Sequence, residues 1–219
     1  MKINTLIELQ DAIDSEMSWR KKELSALRAN INSSRSFAKE TALRSGIALL
    51  YAHWEGAIKN IAYFYLVYVS SQKIKYDNLK PNFFALSLKR ELTKFGDTKK
   101  TSTHTKFIEQ FCEQRTKISR IPTEGVIDTK SNLNSDVFVE IMSTIGLDKS
   151  NYENDFNLID EVLLNMRNHI AHGEHLVEIS LDENRYDEIH NKIFSLINQF
   201  SIQISNAASR KLYLKVNNE

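Results

Sequence analysis

Leu6, Leu9, Ile13 and Met17 recur at steps of three and four, the spacing of one helix face. Leu24 and Leu27 extend the pattern and predict a first amphipathic helix over residues 3–29. "NSSRSFAKE" then supplies Ser and Asn as capping residues. From Ser36 to Ser71 nothing interrupts the period, and Ala42, Leu43, Ile47, Leu50, Trp54, Ile58, Ile61 and Tyr65 form one stripe. Its far half is apolar around much of the circumference, which places this second, long helix at the centre of the fold. Pro81 introduces a third helix through "NFFALSLKRELTKF". "GDTKKTSTHT" reads as a loop, 105–118 as a weaker helix and "RIPTEGVIDTKSNLNS" as irregular and exposed. Asp136 stands where a cap belongs for a short helix that runs to Ile145 and closes at Gly146.

"NDFNLIDEVLLNMRNHIAH" predicts a continuous helix with Phe156, Ile159, Val162, Leu163 and Met166 facing inward, and Gly173 stands at its C-cap. "HLVEIS" reads as a brief extended piece, and residues 181–215 as a last long helix capped by Asp182 or Ser180. The expected architecture is one all-α domain over residues 1–219, a helical bundle with long central helices and an irregular insertion near 96–135.

Composition agrees with long helices, since six glycines and two prolines in 219 residues leave little turn punctuation. The single cysteine, Cys112, excludes an internal disulfide framework and a cysteine-based zinc site, so a reducing, cytoplasmic setting is expected. "MKINTLIELQDAID" places acidic residues directly after a short apolar patch and does not read as a signal peptide. The stretch nearest to a membrane span, 47–69, contains His53, Glu55, Lys59 and Asn60, which lipid would penalise. It reads as a core helix, and no membrane association is expected. The tyrosines and phenylalanines of 63–68 and 83–84 could stack on bases, but their helical spacing favours the core. Net charge is +1 but unevenly spread. Residues 89–120 hold nine Lys/Arg against four Asp/Glu, and 151–190 ten Asp/Glu against two arginines. A basic middle is the pattern of a polyanion-binding surface, and also of an ordinary solvated face.

The chemistry concentrates in "MRNHIAHGE", residues 166–174. Asn168 and His169 share a helical face with His172, whereas Arg167, five residues before His172, diverges from it by about 140°. Three readings are open. The cationic residues can complement the dipole at a helix C-terminus. His169, His172 and His175 form H-x-x-H-x-x-H, a spacing that can ligate zinc, although no cysteine assists and Arg167 would repel a cation. Or the cluster performs acid–base chemistry on a phosphodiester. Histidine exchanges protons near neutrality, arginine offers a fixed fork for charge on phosphorus oxygens, and asparagine orients. Without clustered carboxylates, that set suits metal-independent RNA cleavage with the 2′-hydroxyl as nucleophile, and needs no cofactor. Glu55, beside Trp54, is placed to support Arg167 or His172, and His53 and Arg44 flank that region.

"RNHIAH", Arg167 to His172, resembles the R-x4–6-H motif of HEPN domains, including the polar residue directly after the arginine. "LRSGIALLYAHWEGAIKNI", 43–61, is similar to the long second helix of a MAE-type, RiboL-PSP-associated HEPN branch in which an aromatic–Glu pair such as Trp54–Glu55 is usual. The resemblance runs from about 36 to 200. It implies a homodimer in which two R-x4–6-H segments face each other, so that a second chain could bring Arg167 beside His172. It implies further an endoribonuclease acting on RNA, the toxin or effector of a toxin–antitoxin or phage-defence system, with an antitoxin or other defence protein as partner. Arg167, Asn168 and His172 would be catalytic, with Glu55, His169 and His53 supporting. The alternative within the same fold is a non-catalytic module that binds RNA or protein.

Overall fold

The structure, a computed structural model, describes residues 2–174 and 181–215. The expected extended piece at 175–180, and with it His175, lies outside the described residues. Among those described, the regular structure is helical: α1 (Leu6–Ser33), α2 (Ser36–Ser71), α3 (Pro81–Ser87), α4 (Lys89–Gly96), α5 (Thr101–Gln114), α6 (Ser135–Ile145), α7 (Asn165–Ala171) and α8 (Glu183–Ser209), with short 3-10 and π turns between them. No helix among them is long and apolar enough to cross a membrane.

Three long helices make the frame. Thr5 and Glu8 start α1 with reciprocal bonds: the Glu8 amide donates to Thr5 Oγ1 at 3.1 Å and the Thr5 amide to Glu8 Oε2 at 3.1 Å. The stripe predicted for α2 is buried throughout, with Ile47, Leu50, Trp54, Ile58, Ile61 and Tyr65 all at 0% exposure. α1 and α8 both pack on α2, so the most apolar of the three long helices is the hub. α8 crosses α2 closely at Gly46, where a Cβ would stand 2.7 Å from Tyr186 Cε2. Asp182, one of the two residues expected to cap α8, accepts from the Arg185 amide at 2.8 Å. The helix ends at Ser209 and not at 215.

The middle of the chain differs from expectation. The predicted third helix breaks at Leu88, which sinks into the core at 3% exposure with φ −102° and ψ 7°, separating α3 from α4. The expected loop 96–105 is shorter, because α5 already begins at Thr101. The 120–135 segment is irregular as read, but it is not wholly exposed: Ile121, Ile127, Thr129 and Leu133 are buried. Their spacing matches neither a helix nor a strand, so periodicity could not mark them as core. Asn134, and not Asp136, caps α6, accepting from the Val137 amide at 2.8 Å.

The helix expected over 154–172 is three pieces: a 3-10 stretch at Ser150–Asp155, a π turn at Leu158–Leu164 and α7. Ile159, Leu163 and Met166 are buried as predicted, and Phe156 and Val162 pack against the core from its edge. A π turn holds an extra residue, so it rotates everything after it relative to an α-helical continuation. Arg167 lies directly downstream.

Candidate active site

α7 ends by local chemistry written in its sequence. The Gly173 amide donates to Ile170 O at 3.1 Å and the Glu174 amide to His169 O at 2.9 Å, with Gly173 at φ +74°. These paired bonds form a Schellman closure, and the left-handed residue they require is the glycine. His172 is the C-cap at φ −83°, ψ 1°, and its amide donates to Asn168 O at 3.0 Å. The chain turns away at this point, which leaves the His172 side chain exposed. Among the described residues its imidazole has no hydrogen-bond partner. Two further contacts hold the turn. Arg44 on α2 donates from Nη1 to Glu174 O at 2.7 Å, and the Glu174 carboxylate pairs with His169 Nδ1. His169 therefore serves the turn, not Arg167.

Arg167 points the other way. Its guanidinium lies over the ring of Tyr51, with Cζ 4.7 Å from the centroid. Nη1 donates to Asn168 Oδ1 at 2.9 Å and Nη2 to Ser131 O at 3.4 Å. Tyr51 is 2% exposed, and its hydroxyl accepts from the Leu133 amide at 2.6 Å. Burial, then the nearby Glu55 carboxylate, push the Tyr51 phenol far above its ordinary range, and Arg167 opposes them weakly. The phenol is accordingly neutral at physiological pH.

Glu55, one turn further along α2, accepts from Thr129 Oγ1 at 2.5 Å. It is thereby bonded to the 129–133 segment, and it has no direct pair with Arg167 among the described residues. Tyr51 was not singled out by sequence reasoning. The available signal was its place four residues before Glu55, on the same face of α2.

His53 does not join this group. It faces α1, where Nε2 meets Glu23 Oε2 at 2.9 Å and Nδ1 lies 3.2 Å from Arg20 Nη1. Arg20 is also bound to Glu16, and Asn60 donates to Glu16 Oε1 at 2.7 Å. Burial, and then the Arg20 charge, pull the His53 pKa below its usual value despite Glu23. It is a member of a buried α1–α2 polar network. As a supporting residue of the cleft it is corrected by this placement, whose reason is rotation: Tyr51 and His53, two residues apart on a helix, face nearly opposite ways.

No group of three or more His, Cys, Asp or Glu among the described residues could hold a metal ion, and the third histidine of the H-x-x-H-x-x-H spacing lies outside them. Within one chain, then, the structure brings together Arg167, Asn168, Tyr51 and the 129–133 segment. It leaves His172 on the exposed side of the same helix end, and no hydrogen bond links Arg167 to His172.

Searches of curated proteins and of solved structures return no match. A family model does: the one described as HEPN_MAE_28990-like HEPN matches residues 9–213. That span contains nearly all of α1, and the whole of α2, the π turn, α7 with its arginine–histidine motif, and α8, and the all-α architecture agrees with it. The chain belongs to the HEPN family.

Proposed function

We propose that this protein is a metal-independent endoribonuclease of the HEPN type, working as a homodimer as the toxin or effector of a toxin–antitoxin or phage-defence system. The observation that carries the reading is the division of labour at the end of α7. An arginine is fixed by neighbours while a histidine is exposed and, among the described residues, unengaged. A fixed cation suits a charge that develops in one place, whereas a free imidazole suits proton exchange with a substrate.

In this reading His172 takes the proton from a ribose 2′-hydroxyl or delivers one to the departing 5′-oxygen. The 2′-oxygen bonds to phosphorus, the P–O5′ bond breaks, and the products carry a 2′,3′-cyclic phosphate and a 5′-hydroxyl. Arg167 stabilises the charge on the non-bridging oxygens, and Asn168 keeps its side chain in line. Family membership supports the nuclease class, and the exposure of His172 supports a site completed by a second copy.

The test is incubation of the purified protein with RNA in excess EDTA, followed by analysis of the product ends. Cyclic-phosphate ends formed in chelator are expected. Intact RNA under all conditions would leave the non-catalytic binding module, and cleavage abolished by EDTA would return the histidines to a metal role.

A further inference from the structure

The irregular segment between α5 and α6 is fastened along one face of α2. The Leu133 amide donates to the Tyr51 hydroxyl at 2.6 Å, and Thr129 Oγ1 to Glu55 at 2.5 Å. Asp128, whose carboxyl is held low chiefly by Lys130, also feels the charge of Lys59, the next residue on that face. Tyr51, Glu55 and Lys59 are one helical turn apart in succession, so residues 133 to 128 run as a strap down a single ridge. At its far end the Asp160 carboxylate, inside the π turn that leads to Arg167, accepts from the amide and hydroxyl of Ser135. The strap thus bridges α2 and the segment that carries the arginine, and Ser131 O at its middle accepts from Arg167 itself.

From this arrangement we infer that Tyr51 is a positioning residue for Arg167, and that the 128–135 strap is the frame that holds both. The inference rests on the nuclease reading for its effect on rate, but not for its geometry. Three contacts restrain the guanidinium: the Tyr51 ring beneath it, Asn168 Oδ1 on Nη1 and Ser131 O on Nη2. A guanidinium has five N–H groups, and these contacts use two. The three others, one on each nitrogen, remain for phosphate oxygens, enough for a bidentate grip. Tyrosine suits the task in two ways. Its ring face attracts a cation, and its hydroxyl anchors the strap whose carbonyl fixes the outer nitrogen. Phenylalanine would keep the first function and lose the second.

The experiment uses the full chain labelled with 15N and reads the Arg167 Nε–Hε resonance, assigned by its loss in Arg167→Lys. In the wild type the aromatic ring shifts this proton upfield, and the bonds to Asn168 and Ser131 slow the exchange of the Nη protons with water. Tyr51→Leu is expected to abolish the shift, and Tyr51→Phe to retain it with faster exchange. Because Tyr51 is buried, Thr129→Val serves as a second variant that loosens the strap without touching either residue, and it too should speed the exchange. Single-turnover RNA cleavage is measured beside the spectra. Tyr51→Leu should lower the maximal rate about 10- to 100-fold with half-saturation changed little, the signature of misplaced transition-state contacts. An unshifted wild-type resonance, or one that Tyr51→Leu leaves in place, overturns the clamp. A wild-type cleavage rate in Tyr51→Leu overturns its positioning role. If the wild-type protein shows the shifted resonance but cleaves no RNA, the clamp stands and the nuclease reading falls.

Discussion

Arg167 shows how much a single side chain can depend on shape as well as charge. Its guanidinium stacks on Tyr51 and divides its N–H groups between Asn168 and Ser131. A lysine ammonium keeps the charge, but it cannot lie flat on the ring while donating in two fixed directions. Arg167→Lys is therefore expected to lose about as much RNA cleavage as Arg167→Ala, on the order of 10²-fold or more. Single-turnover rates for the two variants decide it, and full rescue by lysine would reduce the role to charge alone. His172 makes the opposite case. It is exposed and its imidazole makes no hydrogen bond or ion pair with a described residue, so His172→Ala should leave the thermal midpoint within about 1–2 °C of wild type, as surface changes do. The same variant should lose about 10²–10⁴-fold in cleavage. Melting and cleavage measured on one preparation separate a catalytic role from a structural one.

At the scale of elements, what the sequence disclosed depended on periodicity. α2 was legible because its apolar stripe keeps the helical period from Ala42 to Tyr65 without a break, and α1 and α8 followed for the same reason. The strap was not legible. Ile121, Ile127 and Leu133 are anchors with no regular spacing, and its bonds join a backbone amide or a hydroxyl to residues more than seventy positions away. Nor does apolar spacing reveal a π turn, since Ile159, Leu163 and Met166 fit a helix of either kind. The site divided likewise. Of the candidate site, Arg167, Asn168 and His172 stand in one contiguous motif, while Tyr51 joins them only through folding. Close helix crossings carry a testable cost. A methyl group at position 46 would meet Tyr186 at 2.7 Å and Ile31 at 2.8 Å, so Gly46→Ala should destabilise the fold by about 1–3 kcal/mol, read as a lower urea midpoint.

The buried histidines set a pH limit on the packing of α1 against α2, at His53, and of α1 against α8, at His190. Burial lowers the pKa of both His53 and His190, although Glu23, Glu16 and Asp187 oppose it. The unfolded chain then binds more protons than the folded one as pH falls below about 6.5. Stability contributed by the neutral imidazoles is present above that value and is lost as pH falls through the folded values. Glu16, whose carboxyl the Arg20 and Asn60 bonds hold low against its burial, acts in the same direction, but only below the ordinary glutamate value of 4.5. Urea midpoints at pH 7.5 and 5.5 should therefore differ, with the lower at pH 5.5. A His53→Gln, His190→Gln double variant should show a smaller difference, and an unchanged difference would assign the effect to other groups.

For the whole molecule, the proposed nuclease reading turns on how Arg167 and His172 could act on one phosphate. Within the chain they occupy different sides of a helix end, and the Schellman closure at Gly173 fixes that divergence. Two copies packed around α7 would let Arg167 of each meet His172 of the other, and HEPN domains commonly dimerise. A mixing experiment distinguishes this arrangement from action within one chain. Arg167→Ala and His172→Ala are each inactive whichever arrangement holds. In a mixed dimer of the two, one cross-chain pair has lost both groups and the other retains both. Equal amounts exchanged to equilibrium should restore about a quarter of the wild-type sites, because half of the dimers are mixed and each carries one of two. If each chain works alone, every Arg167 that survives sits beside an absent His172, and the mixture stays as inactive as its components. Recovery of cleavage on mixing, together with a dimer by sedimentation, would establish the composite site. Silence from a mixture that sedimentation shows to have exchanged would exclude it.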